Sequence, residues 1–199
     1  MRRLSCIVEG HGEVSALPIL LRRVAQQQSP NDSFDVQPPI RVSRSKFLNR
    51  DEEFHRHLNL AGSKCGVDGL VLVLLDADDD CPAQLAPEIL RRAKKVLPHR
   101  HISVVLANRE FESWYIGAAA SLDGFRGLEI GELDRSVDPE TYRDAKGWLR
   151  QRMKSRLYGE TTDQPAFAAR MDLQMAVDRC RSFRKLCNDL NRWITPVAP

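Results

Sequence analysis

The sequence predicts an α/β fold with a Rossmann-like central parallel sheet flanked by helices and a helical addition at the C-terminal end. Short runs of Val, Leu and Ile alternate along the first half of the chain with segments in which apolar residues recur every three or four positions. This alternation is typical of a doubly wound sheet, in which helices connect successive strands. A chain of 199 residues with 42% hydrophobic content is long enough to bury one such core.

The first predicted strand, residues 4–8, runs into the turn-forming segment Gly10-His11-Gly12. A helix is predicted from about residue 13, because apolar side chains then return at the spacing of one helix face. These side chains are Leu17, Leu20, Leu21 and Val24. The next predicted elements are a loop at residues 30–39, a brief strand at 40–42 and a helix at 49–61.

Residues 67–75 give the clearest strand pattern, since they are nearly continuous in Val and Leu, as expected for a central strand covered on both faces. The remaining predicted elements are a helix at 87–97, a strand at 102–107, a helix at 110–120, a loop at 121–139, and helices within 140–157 and 171–193. We therefore predict an α/β core at residues 1–120 and a helical extension, residues 121–199, that packs on this core.

The composition is that of an ordinary protein of a reducing compartment. A net charge of +3 is compatible with binding nucleic acid but is far from that of a polycationic binder. The five cysteines are odd in number and include no CxxC pair. The first apolar run breaks at Glu9, too soon for a signal peptide, and no run approaches the roughly 18 apolar residues of a membrane helix. We expect a cytoplasmic protein that does not bind membranes, and its oligomeric state stays open.

Two acidic clusters follow predicted strands. Glu9 and Glu13 come after the first strand, and Asp76-Ala77-Asp78-Asp79-Asp80 comes after the strand at 67–75. Because the carboxyl ends of parallel strands converge at one edge of a sheet, these carboxylates can meet there. Mg²⁺ and Mn²⁺ prefer oxygen ligands of this kind. We predict that Glu9, Asp76 and Asp78 hold such a cation; the alternative is that they are turn-forming or helix-capping acids.

Other polar residues of the same edge have two interpretations each. Glu13 and Glu112 could together hold a second cation. The alternatives are that Glu13 is an acid at the N-terminus of its helix and that Glu112 is a solvated acid. Asp79 and Asp80 are either further ligands, or an N-cap and a solvated first helical turn. His11 either contacts a phosphate or protonates a leaving group, or is an ordinary loop histidine.

Basic residues indicate where a nucleic acid would bind. Lys146 either stabilises transition-state charge or belongs to a solvated basic face. The other members of that face are Arg143, Arg150, Arg152, Lys154 and Arg156. Arg109 either contacts a phosphate or pairs with a neighbouring acid. Arg184 and Lys185 are predicted to contact phosphates, which gives affinity without sequence specificity.

The acidic motifs carry a resemblance to a known superfamily. Val8-Glu9-Gly10 with Glu13, followed two strands later by Asp76-x-Asp78, resembles the Toprim domain of topoisomerases, DnaG-type primases, OLD-family nucleases and the 5S rRNA maturase. More narrowly, the chain is similar over almost its whole length to uncharacterised bacterial Toprim-like proteins often encoded beside AAA-type ATPases. The segments that carry this narrower likeness are Ile7 to Glu13, Leu75 to Asp79, Asn108 to Trp114 and Ser182 to Lys185.

The resemblance implies a Toprim fold and roles for individual residues. Glu9 matches the Toprim glutamate, which is an acid/base or metal-ligand position, and Asp76 and Asp78 match the metal-binding DxD. Glu13 matches the additional glutamate of the OLD-like nucleases, which favours two-metal cleavage over topoisomerase chemistry. The resemblance also implies an AAA-type ATPase partner in a phage-defence or mobile-element system.

We therefore predict a Mg²⁺- or Mn²⁺-dependent phosphodiesterase that cleaves DNA or RNA. A different hypothesis is a non-catalytic Toprim module that binds a metal-nucleotide or a partner protein in a regulatory complex. A third is a phosphatase that acts on a small phosphorylated molecule.

Overall fold

A computed structural model describes residues 2–30 and 34–195 of the chain. Its five strands are β1 (Arg2–Val8), β2 (Phe34–Val36), β3 (Ile40–Arg41), β4 (Leu70–Asp76) and β5 (His101–Ala107). Its α-helices are α1 (His11–Gln28), α2 (Arg44–Asn49), α3 (Asp51–Cys65), α4 (Pro82–Val96), α5 (Ser113–Gly117), α6 (Glu132–Arg135), α7 (Ala145–Arg152), α8 (Glu160–Arg170), α9 (Leu173–Arg179) and α10 (Arg181–Ile194). Two 3₁₀ turns, Ala119–Leu122 and Phe125–Gly127, lie between α5 and α6.

All strand pairs of the sheet are parallel, and the strand order is β2-β1-β4-β5. The short strand β3 pairs with β1 beyond β2 and so extends the same edge. The chain therefore leaves β1 toward one side of the sheet and later crosses to β4 on the other side. This reversal creates a crevice beyond the carboxyl ends of β1 and β4, where α/β proteins usually bind their ligands.

Helices cover both faces of the sheet, and the predicted α/β fold with a central parallel sheet is confirmed. Alternate residues of β4 point into two separate cores. Leu72 and Leu74 pack with α1, α8 and α10, whereas Val71 and Val73 pack with α3 and α4. All four side chains are at most 1% exposed. The nearly continuous apolar pattern of β4 thus reflects burial on both faces.

Several element boundaries differ from the prediction. The loop predicted at residues 30–39 contains β2, which has too few residues to show a strand pattern; residues 31–33 of that loop lie outside the described part of the chain. The strand predicted from residue 67 begins at Leu70, after a turn at Val67 and Asp68. The helix predicted from residue 87 begins at Pro82, because proline is well tolerated in the first helical position.

The C-terminal part is more broken than the sequence indicates. The loop predicted at residues 121–139 contains a 3₁₀ turn and α6, and the helix predicted at 110–120 is reduced to α5. The helix α8 lies where no element was predicted. The extended backbone of Cys180, with φ −115° and ψ 111°, divides the helical region 171–193 into α9 and α10.

One hydrophobic core extends across the predicted boundary at residue 120. It contains Leu17 of α1 and Phe167 of α8, both fully buried. The division into residues 1–120 and 121–199 stays a prediction, and residues 196–199 of that extension are outside the described part. Among the described helices, none combines the length and the apolar character needed to cross a membrane.

The helices α1 and α8 approach each other closely at Gly12. A Cβ atom placed on Gly12 would lie 2.2 Å from Oε1 of Gln164 and 2.8 Å from the backbone oxygen of Glu160. Both distances are below van der Waals contact, and one involves backbone that cannot rotate away. Glycine at this position therefore sets the separation between the two helices.

We predict that Gly12→Ala destabilises the protein by about 1–3 kcal/mol, because α8 must move away from α1. Chemical denaturation followed by circular dichroism measures the effect. Gly131→Ala is the matched control, since its added Cβ would meet only the Asp134 carboxylate at 3.4 Å. Equal stability of the two variants would contradict the close-approach explanation.

Candidate metal centre

Four carboxylates from three strand ends lie at the crevice beyond β1 and β4. Glu9 directly follows β1, Asp76 ends β4, and Glu112 lies in the segment after β5. Glu13 is in the first turn of α1, which begins two residues after Glu9. Oδ1 of Asp76 accepts a hydrogen bond of 2.7 Å from the backbone N–H of Phe111, so the segments after β4 and β5 are tied together.

Glu13 is almost completely buried, at 4% exposure, and caps its own helix. Its Oε2 accepts a hydrogen bond of 3.1 Å from the backbone N–H of Glu9, and its carboxylate also accepts one from Gly10. A Cβ on Gly10 would lie 2.6 Å from Oε1 of Glu13. The absence of a side chain at Gly10 thus leaves room for the Glu13 carboxylate. Glu13 binds backbone N–H groups at the start of α1, as its interpretation as a helix N-terminal acid predicts.

Glu112 is fully buried, and residues of the C-terminal half hold it. Its Oε1 accepts hydrogen bonds from Nε2 of Gln164 at 2.8 Å and from the hydroxyl of Tyr158 at 3.2 Å. Its Oε2 is buried and has no hydrogen-bond partner. The interpretation of Glu112 as a solvated acid is therefore wrong, and one of its oxygens remains available.

Lys146 lies beside the carboxylates and not on the solvated face of α7. Its Nζ is 4.0 Å from Oε1 of Glu112 and 3.4 Å from Oε1 of Glu160. The carboxylate of Glu110 accepts a hydrogen bond of 3.2 Å from the backbone N–H of Lys146 and so fixes the start of α7 at the site. Burial alone would lower the pKa of Lys146, but the carboxylates of Glu112, Glu160 and Asp76 raise it overall. Lys146 is therefore a cation held within the acidic group.

Burial and neighbouring negative charges raise the pKa values of all four carboxyl groups. Burial raises the pKa of Glu13 to about 7, with a further contribution from the charges of Glu112 and Glu9. Burial also raises the pKa of Glu112 to about 7. The pKa of Asp76 is raised well above its usual value by burial and by the charges of Glu13 and Glu112. Burial and the charge of Asp78 raise the pKa of Glu9.

The donor set matches the chemistry of a hard divalent cation. All its members are carboxylates, and Oε2 of Glu9 and Oε2 of Glu112 are buried without a hydrogen-bond donor. A cation at this position would relieve the repulsion that raises the pKa values. Within residues 2–30 and 34–195, however, no three His, Cys, Asp or Glu side chains are gathered closely enough to form a metal site as they stand.

Arginines cover the loop that follows Asp76. Arg44 donates from Nε to the backbone oxygen of Asp76 at 2.9 Å, and its two terminal nitrogens lie 2.5 Å from Asp80 and 3.6 Å from Asp78. The side chain of Asp78 is 62% exposed, and its φ of +51° turns the loop sharply. Arg44 therefore binds both the strand end and the side chains of Asp78 and Asp80.

The remaining aspartate of this loop binds two further arginines. Nη1 of Arg109 and Nη1 of Arg143 both lie 2.9 Å from Oδ1 of Asp79. Arg109 therefore pairs with a neighbouring acid, which is one of the two interpretations given for it above. The N-cap of α4 is Cys81, so the interpretation of Asp79 and Asp80 as N-cap and first-turn residues is wrong.

The other predicted site residues lie apart from the carboxylates. Arg184 donates to the backbone oxygen of Val177 at 2.7 Å, and Lys185 pairs with Asp189 at 2.5 Å. Both line a depression on α10 that contains none of the acidic group. His11 is exposed at the first position of α1.

Four residues that contact the carboxylates or Lys146 were not predicted from the sequence: Arg44, Tyr158, Glu160 and Gln164. Arg44 had a usable signal, because it follows the predicted strand at 40–42 and so had to lie at the same edge. The other three had none, since they belong to α8 or to the segment before it, and only the packing of α8 on α1 brings them to the crevice.

We predict that the metal-free protein becomes less stable as the pH rises from about 5 to about 7. The folded pKa values of Glu13 and Glu112 are about 7 and exceed their usual value of 4.5. The folded state therefore binds more protons than the unfolded state in this window, and the resulting stability is lost as the pH rises. Urea unfolding in EDTA buffers measures the trend. A free energy of unfolding that is constant or increases over this range would contradict it.

We also predict that Glu112→Gln stabilises the metal-free protein at pH 8, by about 1–3 kcal/mol. The amide keeps an oxygen for Gln164 and Tyr158 but removes a buried charge that repels Asp76 and Glu13. Thermal unfolding with EDTA measures the change. Glu88→Gln, on an exposed position of α4, is the control and should have little effect; destabilisation by Glu112→Gln would show that its charge is needed for folding.

Comparison with known proteins identifies the family of the chain. A search of curated proteins gave no match, and a search of solved structures gave none. A scan against protein families matched residues 8–191 to the family described as a domain of unknown function (DUF4276). This match includes the four carboxylates, Lys146 and the helices that enclose them. Because it spans nearly the whole sequence, the chain belongs to the DUF4276 family.

Proposed function

We propose that this protein is a divalent-metal-dependent phosphodiesterase of the Toprim superfamily that cleaves DNA or RNA. The observation that carries the proposal is the meeting of four poorly solvated carboxylates, two of which have unpartnered buried oxygens, at the carboxyl ends of parallel strands. A divalent cation stabilises such a group, because it offsets the repulsion between the carboxylates and takes their oxygens as ligands. The Toprim-like motifs and their relation to OLD-family nucleases support phosphodiester chemistry at this position.

Glu9, Asp76 and Asp78 would hold the first Mg²⁺ or Mn²⁺, and Glu13 and Glu112 would hold a second. The first set follows β1 and β4, the two strands that border the crevice. The second set lies deeper, since Glu13 is 4% exposed and Glu112 is fully buried.

When bound, the cation supplies Lewis-acid stabilisation of the charge that develops on the phosphoryl oxygens. Glu9, whose Oε2 has no hydrogen-bond donor, accepts the proton of the attacking water. Glu13 is fixed beside it by backbone hydrogen bonds and assists this transfer. Lys146, held between Glu112 and Glu160, stabilises the negative charge of the transition state.

The nucleic acid would approach across the loop that carries Asp78, Asp79 and Asp80. Arg44, Arg109 and Arg143 already bind carboxylates at this loop and present the forked donors that suit phosphates. Contacts by Arg184 and Lys185 would extend the path along α10. We further propose a cytoplasmic protein with an AAA-type ATPase partner, as the resemblance implies.

A regulatory module that binds a cation or a metal-nucleotide without turnover is the second candidate. It is favoured by the ion pairs that occupy Asp79 and Asp80. In this case the same carboxylates bind, but no phosphodiester bond is cleaved.

The proposal is tested by incubating purified protein with supercoiled plasmid, single-stranded DNA and structured RNA in Mg²⁺, Mn²⁺ or EDTA. We expect metal-dependent strand scission that is lost by at least 100-fold in Asp76→Asn and Glu9→Gln, because each removes a charged ligand while conserving shape. Glu88→Gln is the control. Release of inorganic phosphate from small phosphate esters without scission would identify a phosphatase instead.

Titration calorimetry with Mn²⁺ separates the two candidates. Binding that Asp76→Asn abolishes, without cleavage of any substrate, would support the regulatory module and contradict the nuclease. Absence of both binding and cleavage would contradict both candidates. The assay is repeated with the AAA-type ATPase encoded beside the gene, where there is one, so that a requirement for the partner is detected.

A further inference from the structure

Arg44 contacts each of the three residues that are predicted to hold the first cation. Its backbone N–H donates a hydrogen bond to the carboxylate of Glu9. Its Nε donates to the backbone oxygen of Asp76 at 2.9 Å, and its Nη1 lies 3.6 Å from Oδ2 of Asp78. The side chain is only 17% exposed, although it carries a full charge. Arg44 is therefore a cation built into the edge of the candidate metal centre.

The nitrogens of this guanidinium differ in how firmly they are bound. Nε holds the backbone oxygen of Asp76, while Nη2 lies 2.5 Å from Oδ2 of Asp80 and 3.4 Å from the backbone oxygen of Ala77. Among residues 2–30 and 34–195, Nη1 has Asp78 as its single partner. This pair is longer than a hydrogen bond, and the Asp78 side chain is 62% exposed. Arg44 can therefore release Asp78 and keep its other bonds.

A guanidinium and a divalent cation are alternative partners for the Asp78 carboxylate. The ion pair of an exposed carboxylate is weak, because water solvates the carboxylate once the pair is broken. Mg²⁺ and Mn²⁺ carry two charges and take carboxylate oxygens as direct ligands. A monovalent ion would only replace one single charge by another. The exchange of partners therefore favours a divalent cation.

We propose that Arg44 is an exchangeable counter-ion of the candidate metal centre, which holds the Asp78 carboxylate in the metal-free protein and releases it to a divalent cation. Arg44 is a positioning residue in this role, because it acts through Asp78. It competes with the cation and so lowers the metal affinity of the centre. The inference rests on the proposed function, because it concerns the same cation.

Titration calorimetry of the full chain with Mn²⁺ alone tests this exchange. We expect Arg44→Gln to bind Mn²⁺ more tightly than the wild type, by about threefold or more, because the competing charge is removed. Arg109→Gln is the matched control, since it removes the same charge beside the same loop but Arg109 pairs with Asp79 at 2.9 Å. Its effect should stay below about twofold. An equal gain in both variants would contradict a specific role of Arg44.

Thermal unfolding checks the fold of the variant and gives a second readout. We expect Arg44→Gln to unfold at a lower temperature than the wild type in EDTA, because the carboxylates lose a counter-ion. The same Mn²⁺ concentration should then raise its unfolding temperature by more than it raises that of the wild type, since tighter binding stabilises the folded state more. If Arg44 only fastened the loop, its loss would make the increase smaller, and this result would overturn the proposal.

Failure of the exchange and failure of the proposed function give different results. If the wild type binds Mn²⁺ and Arg44→Gln binds it equally or more weakly, the exchange is wrong and the metal-dependent function is unaffected. If neither protein binds Mn²⁺, both the exchange and the proposed function are wrong. Tighter binding by Arg44→Gln, together with the larger increase in its unfolding temperature, supports the exchange whether or not a nucleic acid is cleaved.

Discussion

The structure depends on the confinement of four like charges at one edge of its sheet. Glu9, Glu13, Asp76 and Glu112 come from different segments, and burial together with neighbouring negative charges raises their pKa values. Hydrogen bonds and two cations, Lys146 and Arg44, offset only part of this cost, since two of the carboxylate oxygens have no donor. A folding chain gains nothing from such an arrangement by itself, and the divalent cation of the proposed function would offset the rest of the cost.

The C-terminal helices make this confinement possible. Gly12 lets α8 approach α1 so closely that Gln164 reaches Glu112, and Tyr158 and Lys146 approach the same carboxylate. These residues remove Glu112 from water and fix one of its oxygens, which leaves the other free. The sheet therefore supplies the acids, while the helices after it control their solvation and charge.

The fold was predictable where burial leaves a periodic signal. The continuous apolar run of β4 and the helical spacing of apolar residues in α1 are such signals, because both follow from the burial of side chains against a core. By contrast, β2 and α2 are too short to develop a period. The helix α8 contains Pro165 and begins with polar residues, and it is recognisable mainly through its contacts with α1. Local sequence cannot contain that information.

Some residues of the site were likewise predictable from the sequence, and others were not. Glu9 and Asp76 were predictable, because strand ends in a parallel sheet have a known common edge. The burial of Glu112 was not, because it depends on partners more than thirty residues away. The hydroxyl of Ser182 at the start of α10 accepts hydrogen bonds from Asn108 and from Nε1 of Trp114, on either side of Glu112. The same helix packs against β5, the last strand of the sheet. The segment that carries Glu112 is thus held from both the interior and that edge of the sheet, and its position reflects contacts on both sides.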